Sequence, residues 1–176
     1  MREHGVLERI LLVYEEGLRH LDAGESPVDI FTRSATIVRR FVEDYHEKLE
    51  EEHLFPRLEQ AGRLVELVTT LRAQHQAGRR LTDDILAAAA GSEPKKMAPP
   101  ARSFIRMYRP HAAREDTVLF PDFKQLLPEQ EYRQLGERFE EREHALFGES
   151  GFRGIVDEVA ALEKAIGIDD LSRFTP

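Results

Sequence analysis

One pattern of His and Glu occurs twice in this sequence, with the spacing of a metal-binding motif. Residues 46–56 read HEKLEEEHLFP and residues 111–121 read HAAREDTVLFP, so both fit H-x-x-x-E-x-x-x-L-F-P. Residues four apart lie about 40° apart around a helix and one turn along it. We therefore predict that His46 with Glu50, and His111 with Glu115, each direct an imidazole and a carboxylate toward one point.

Two further His residues are predicted to complete the set. His4 is in phase with Leu7 and His75 with Leu71, on apolar helical stripes. A single His on such a stripe is usually a hydrogen-bonded core residue, and a bundle with no metal is the corresponding alternative. Burying so many polar groups together is costly unless they are paired or bind a cation. The sequence thus predicts a metal centre formed by His4, His46, Glu50, His75, His111 and Glu115.

The donor set indicates the kind and number of ions. The sequence has no Cys, so thiolate ligands, disulfides and iron–sulfur clusters are excluded. Imidazole and carboxylate donors suit iron, and manganese or zinc less specifically. Four imidazoles and two bridging carboxylates exceed what one small ion needs and favour two. Glu51 and Asp116 stand roughly 140° round from His46 and His111 on an ideal helix, so they are expected to point away.

Composition limits the class of protein. The chain has 176 residues, 41% hydrophobic and 33% charged, with a net charge of −8. This is typical of one soluble globular domain, and no apolar run is long enough for a membrane span. The acidic, intermingled charge argues against a nucleic-acid surface. We expect no nucleic-acid partner, no membrane and, with no signal-peptide pattern, a cytoplasmic location.

The apolar spacing is helical almost throughout. It predicts a first helix over about residues 2–22, and a long second helix with Ser26 as N-cap, Pro27 at its first position and a kink near Pro56. Gly62 marks a turn, after which a third helix is predicted from about Val65 into the run of Ala87 to Ala90. A linker at 91–94, with Pro99 and Pro100 shortly after, precedes a fourth helix that is expected to kink at Pro110.

The same spacing predicts the fold class. Short loops between four amphipathic helices favour an all-α, up-down-up-down four-helix bundle over residues 1–126. Helical stretches at 129–147 and 152–166 predict a C-terminal helical hairpin, so that residues 127–176 form an extension packed on the bundle. The apolar stripe that begins at Phe152 has an alternative interpretation as an interaction surface.

The repeat, the early His and the single His of the third helix resemble the hemerythrin-like, or HHE cation-binding, domain family over about residues 2–126. The C-terminal extension is similar to that of a bacterial subgroup. The resemblance implies a four-helix bundle around a non-haem diiron centre, with two oxo- or hydroxo-bridged iron ions. The six residues above match its ligands, with Glu50 and Glu115 as the bridging carboxylates.

The sequence departs from oxygen-carrying members of this family. Their third helix bears two His four residues apart, whereas the positions flanking His75 here are Leu71 and Arg79. Their last carboxylate lies one position later, where this chain has Asp116. A lost nitrogen donor favours reaction with a small oxidant, namely O₂, peroxide or nitric oxide, over reversible O₂ carriage. The alternative is an iron-sensing or iron-storing module without turnover, and enzymatic activity stays open.

Four residues outside the predicted ligand set have predictions of their own. Glu47 resembles an additional carboxylate ligand of the iron-sensing member of the clan. The alternative is that Glu47 is a solvated helix residue. His53 is predicted to face inward one layer below the metal, as a support or access residue, or else as plain core. His20 and His144 are expected to be solvated. The expected partner is a small diatomic or peroxide ligand, and the chain is expected to be a monomer or homodimer.

Overall fold

The computed structural model of the chain describes residues 2–91 and 93–175 and is helical over most of that length. Gly24 and Gly62 both have positive φ and lie in the turns that follow the first two helices. In chain order the helices are α1 (Arg2–Asp22), α2 (28–60), α3 (Val65–Ala90), α4 (94–126), α5 (Glu129–Phe147) and α6 (Gly151–Ile166), followed by a 3-10 turn at Leu171–Phe174.

The bundle topology is confirmed. Helix α1 contacts α2, α2 contacts α3, α3 contacts α4, and α4 returns to α1, which closes an up-down-up-down ring. Helix α6 packs on α1 and α2, and α5 contacts α6. The domain boundary at residue 126 stays a prediction. Among the described residues, none of the helices combines the length and the apolar character needed to cross a bilayer.

Two of the helices contain π-helical turns that the sequence analysis did not predict. Helix α2 consists of Val28–Ile37, a π segment Val38–His46, Glu47–Leu49, a second π segment Glu50–Leu54, and Phe55–Gln60. Helix α4 consists of Pro94–Arg114, a π segment Glu115–Leu119, and Phe120–Leu126. The segments Glu50–Leu54 and Glu115–Leu119 occupy the same place in the repeat. Each precedes a proline that has no N–H for the helical ladder, as is common where a π turn interrupts an α-helix.

Two local predictions need correction. Pro27, not Ser26, is the N-cap of α2, the helix begins at Val28, and no side chain caps it. Helix α4 begins at Pro94, so Pro99 and Pro100 lie inside it rather than in the linker. Pro110 lies in the α-helical part of α4, before the π segment that starts at Glu115, and the kink at Pro110 stays a prediction.

The core consists of two apolar clusters with a polar layer between them. Along α2, Tyr45 and Leu49 belong to the first cluster and Leu54 to the second, with His46 and Glu50 near the junction. The first cluster also contains most of the apolar face of α1. Its α6 members are Ile155, Val159 and Leu162, so the C-terminal stripe is buried against the bundle rather than free.

Candidate metal centre

All six residues predicted as ligands meet in the polar layer. Every one of them is buried, with at most 5% of its surface exposed. Helix α1 provides His4, α2 provides His46 and Glu50, and α3 provides His75. Helix α4 provides the remaining pair, His111 and Glu115. The i, i+4 spacing in the repeat thus has the predicted effect, because each pair projects from one helix face into the bundle.

The first half of the centre lies between α1, α2 and α4. The Nε2 atoms of His4 and His46 are 3.1 Å apart. Glu115 Oε2 is 3.3 Å from His4 Nε2, and Glu50 Oε1 is 3.5 Å from His46 Nε2. One donor atom from each of these four residues lies within 4.8 Å of the other three, so the group could hold a metal ion.

The second half lies between α2, α3 and α4. Glu115 Oε1 is 3.1 Å from His111 Nε2 and 3.9 Å from His75 Nε2. Glu50 Oε2 is 3.5 Å from His75 Nε2. Each of the two carboxylates therefore directs one oxygen to each half, which is the arrangement of a carboxylate that spans two ions.

These buried groups fit a cation. Both oxygens of Glu50, both oxygens of Glu115 and Nε2 of His75 have no hydrogen-bond partner among the described residues. Buried polar atoms are almost always hydrogen-bonded in folded proteins, because an unpaired one is costly. Convergence of unpaired carboxylate oxygens on imidazole nitrogens is the chemistry of a metal-binding site.

The pKa shifts of the Glu50 and Glu115 carboxyls have opposite directions. Burial raises the pKa of the Glu50 carboxyl well above its ordinary value, and the negative charge of Glu115 raises it further. Burial also raises the pKa of Glu115, but contacts with His111 and His4 outweigh it, so this pKa lies below its ordinary value. A cation between the two carboxyls would favour ionisation of both.

The imidazoles are also affected by burial. Burial lowers the pKa of His46 and of His75, which keeps these rings neutral with a nitrogen lone pair available for a metal. Burial lowers the pKa of His4 as well, but the carboxylates of Glu115 and Asp116 outweigh it and the pKa is raised.

Side-chain oxygens lie beside the outer nitrogens of three imidazoles, and two of these contacts are hydrogen bonds. Nδ1 of His75 is hydrogen-bonded to Glu51 Oε1 at 3.1 Å, whereas Nδ1 of His4 is 3.1 Å from Asp116 Oδ2 without a hydrogen bond. Nδ1 of His111 is 2.8 Å from Gln74 Oε1. Metal-binding His residues usually donate their second ring N–H to such an oxygen, which fixes the ring with its other nitrogen toward the metal.

The expectation that Glu51 and Asp116 point away was wrong. Glu51 reaches Nδ1 of His75 on α3, and Asp116 reaches Nδ1 of His4 on α1, each at 3.1 Å. Each of these acids lies in a π segment, directly after the motif Glu. An acid follows the motif Glu in both copies of the repeat, and this signal could have identified them. Gln74 lies outside the repeat and has no comparable signal.

Glu47 is buried rather than solvated, and it is held by other side chains. Tyr108 donates its hydroxyl to Glu47 Oε1 at 2.5 Å, and Arg79 lies 2.8 Å from Glu47 Oε2. Arg79 also lies 2.8 Å from Glu51. Tyr108 can approach α3 because residue 78 is Gly, where a Cβ would lie only 2.0 Å from the tyrosine oxygen.

The other three His residues lie outside the six-residue set. His53 is half-buried and its ring lies 5.3 Å from that of Phe139, with none of the six residues as a ring or hydrogen-bond partner. His20 contacts Glu25 at 2.6 Å near the end of α1, and His144 is exposed.

Comparisons with known proteins agree with this site. The family model described as the hemerythrin HHE cation binding domain matches residues 1–123. Among curated proteins, the chain is 52% identical to uncharacterized proteins of Mycobacterium bovis (Mb2018) and Mycobacterium tuberculosis (Rv1995 and MT2051). These alignments span 183 positions, 100% of this chain and 72% of each relative. No solved structure matches significantly.

Proposed function

Because this chain belongs to the hemerythrin HHE cation-binding domain family, we propose that it is a non-haem diiron protein that binds or reacts with a small oxidant. The residues that would hold two iron ions are His4, His46, Glu50, His75, His111 and Glu115. Two such ions would supply coordination positions for O₂, peroxide or nitric oxide. The metal-binding character of the buried His and Glu cluster follows from the family and the geometry together.

One observation carries the proposal. Glu50 and Glu115 are buried carboxylates whose four oxygens have no hydrogen bonds and divide between two groups of imidazoles. A single ion would leave some of these oxygens unpaired, whereas two ions use both oxygens of each carboxylate. Carboxylate and imidazole donors without thiolate favour iron among the common metals.

The surrounding residues have roles of their own. Glu51 and Gln74 orient two imidazoles through hydrogen bonds to their outer nitrogens, and the carboxylate of Asp116 lies 3.1 Å from the outer nitrogen of His4. Phe55 stacks on His75 with ring centroids 5.5 Å apart and covers that imidazole from solvent. A water-poor site strengthens electrostatic interactions with a bound small molecule and limits side reactions.

Arg79 supports reactivity over simple carriage. The positions four residues before and after His75, where an oxygen carrier would have a second imidazole donor, are Leu71 and Arg79 here. Leu71 has no donor atom, and the guanidinium of Arg79 faces Glu47 and Glu51. A guanidinium stays protonated and offers no lone pair to a metal. The site would therefore keep a coordination position that the protein does not fill.

Anaerobic iron loading of the full chain tests the proposal. We expect about two irons per chain and the absorption of a bridged ferric pair after oxidation, with spectral changes on adding O₂, peroxide or nitric oxide. His144→Ala serves as a control because this exposed His lies outside the site. One ion per chain, or uptake of zinc with no uptake of iron, would overturn the diiron proposal.

The same experiment distinguishes reaction with a small oxidant from the alternative function. Iron that binds at two per chain but does not respond to any of the three small molecules indicates an iron-sensing or iron-storing module. A cytoplasmic location and a monomeric or homodimeric state are further proposals, checked by cell fractionation and by light scattering.

A further inference from the structure

A cleft of about 350 Å³ leads to one side of the polar layer. It lies between the start of α1, the middle of α2 and the face of α5 that carries Gly136 and Phe139. His46 and Glu50 form part of its lining, so this cleft connects the surface with the first half of the centre. Its volume is at the lower end of the range of organic ligand sites and far larger than a diatomic molecule needs.

The outer nitrogen of His46 differs from those of His75 and His111. Each of those two rings has Nδ1 hydrogen-bonded to a side-chain oxygen, and Nδ1 of His4 lies 3.1 Å from Asp116 Oδ2 without a hydrogen bond. His46 directs Nε2 toward His4 and Glu50, and no described residue hydrogen-bonds to its Nδ1. A His that binds metal through Nε2 carries hydrogen on Nδ1, which then needs an oxygen acceptor. His46 lines the cleft, so an occupant of the cleft lies beside this ring.

The remaining walls define the chemical class of that occupant. Leu49, Leu54 and Phe139 make the lining largely apolar. Glu3 and Glu140 add carboxylates. The one cation, Arg2, is already engaged, at 2.5 Å from Glu143 and 3.1 Å from Glu3. Such a lining disfavours an anion and accepts an uncharged, mostly apolar molecule.

We propose that this cleft binds a neutral organic molecule with an apolar body and one oxygen acceptor directed at Nδ1 of His46. An aromatic ketone is one small neutral compound with these two features. This inference deepens the proposed function by naming a substrate class for the same site, and it rests on that function. Helix α5 forms the outer wall, which gives the C-terminal extension a part in ligand selection.

A series of three aromatic probes tests the chemistry. Acetophenone is neutral with a carbonyl acceptor, benzoate is similar in size but anionic, and toluene has no oxygen. We expect acetophenone to bind about tenfold more tightly than either of the others, because a lost hydrogen bond or a repelled charge costs about that much. Titrations followed by NMR of the zinc-loaded full chain should shift the imidazole N–H of His46 and the amides of Gly136 and Phe139.

Variants on α5 test the location. Gly136 lines the cleft, and a Cβ there meets no atom within 4 Å, so Gly136→Leu should fold normally and fill the space. We expect it to weaken acetophenone binding at least about tenfold, in line with loss of the apolar contact surface. Gln134→Leu is the matched control, because it adds a Leu to an exposed position of the same helix away from the cleft.

Equal binding of toluene and acetophenone would overturn the proposal, since water would then satisfy His46. Equal binding of benzoate, shifts outside the cleft, or unchanged binding by Gly136→Leu would overturn it as well. The amide shifts are also recorded for the metal-free chain. Failure of the chain to take up metal is detected by metal analysis and contradicts the proposed function, while the amide shifts still report whether the cleft binds the probe.

Discussion

The two halves of the candidate metal centre have different surroundings. The half formed with His75 and His111 is enclosed, since both outer nitrogens are held by oxygens and Phe55 stacks on one ring. The half formed with His4 and His46 borders the cleft, and Nδ1 of His46 has no described partner. The copies of the repeat supply equivalent donors, so the difference arises from what packs around them.

We expect the enclosed half to retain an ion and the cleft half to allow exchange of a further molecule. Rigid rings with fixed tautomers favour tight binding of an ion. A ring at a cleft, with a free hydrogen-bonding position, favours binding of a further molecule. This comparison predicts unequal consequences for equivalent substitutions in the two halves.

Glu115→Ala should have the largest effect, because it removes a donor from both halves of the centre. We expect metal content to fall to background and the melting temperature of the metal-loaded preparation to fall to that of the metal-free chain. Elemental analysis and calorimetry check this. Glu137→Ala, at an exposed position of α5, is the control, and retention of a full ion by Glu115→Ala would contradict the shared role.

His75→Ala should affect the enclosed half alone. We expect loss of about one of the two ions, because the group of His4, His46, Glu50 and Glu115 stays complete. Metal counting with circular dichroism as a check on folding provides the measurement. If this variant instead behaves like Glu115→Ala, the halves are not separable and the comparison fails.

Gln74→Leu should weaken binding without removing a ligand. It deletes the oxygen that Nδ1 of His111 contacts at 2.8 Å, and loss of such a support typically costs about 10-fold to 100-fold in metal affinity. Competition with a chelator of known affinity measures the effect. Gln76→Leu, two residues on and exposed, should retain the affinity of the original chain. Equal affinities in the two variants would count against the orienting role of Gln74.

The smallest effect concerns acid stability of the metal-free chain. Burial raises the pKa of Glu51, but contacts with His75, Lys48 and Arg79 outweigh it and lower this pKa to about 2. A lowered folded-state pKa gives stability that is present above the unfolded value, about 4.3, and is lost as pH falls toward 2.

We therefore expect the urea midpoint of the original chain to fall between about pH 4 and pH 2 more steeply than that of Glu51→Gln. Glu66→Gln, at an exposed position on α3, should follow the original chain. Parallel curves for Glu51→Gln and the original chain would show that the contacts of Glu51 do not depend on its charge.

The sequence was sufficient for the bundle and for the placement of six buried side chains, because both depend on helical periodicity. It was insufficient for the π turns, since the choice between bonding to the fourth or the fifth residue depends on how proline and its neighbours pack. It was also insufficient for Glu51 and Asp116, because their contacts with imidazoles on α3 and α1 depend on how the helices pack.

The sequence pattern also did not predict contacts between helices that are far apart along the chain. Glu47 is followed by a charged residue and was open to interpretation as solvated, yet Arg79 of α3 and Tyr108 of α4 bury it. The cleft depends on how α5 packs beside α2, which no periodicity specifies. Coordination by the six residues remains a prediction that metal analysis of the variants decides.

The contact of His4 with Glu115 has a consequence for kinetics. These residues lie on α1 and α4, close to opposite ends of the bundle sequence, and their side chains approach to 3.3 Å. We expect this contact to form late in folding, because the long chain segment between these positions must first be brought together. An ion that joins them would therefore lower the rate of unfolding far more than it raises the rate of folding. The metal would chiefly slow the unfolding of a bundle that has already assembled.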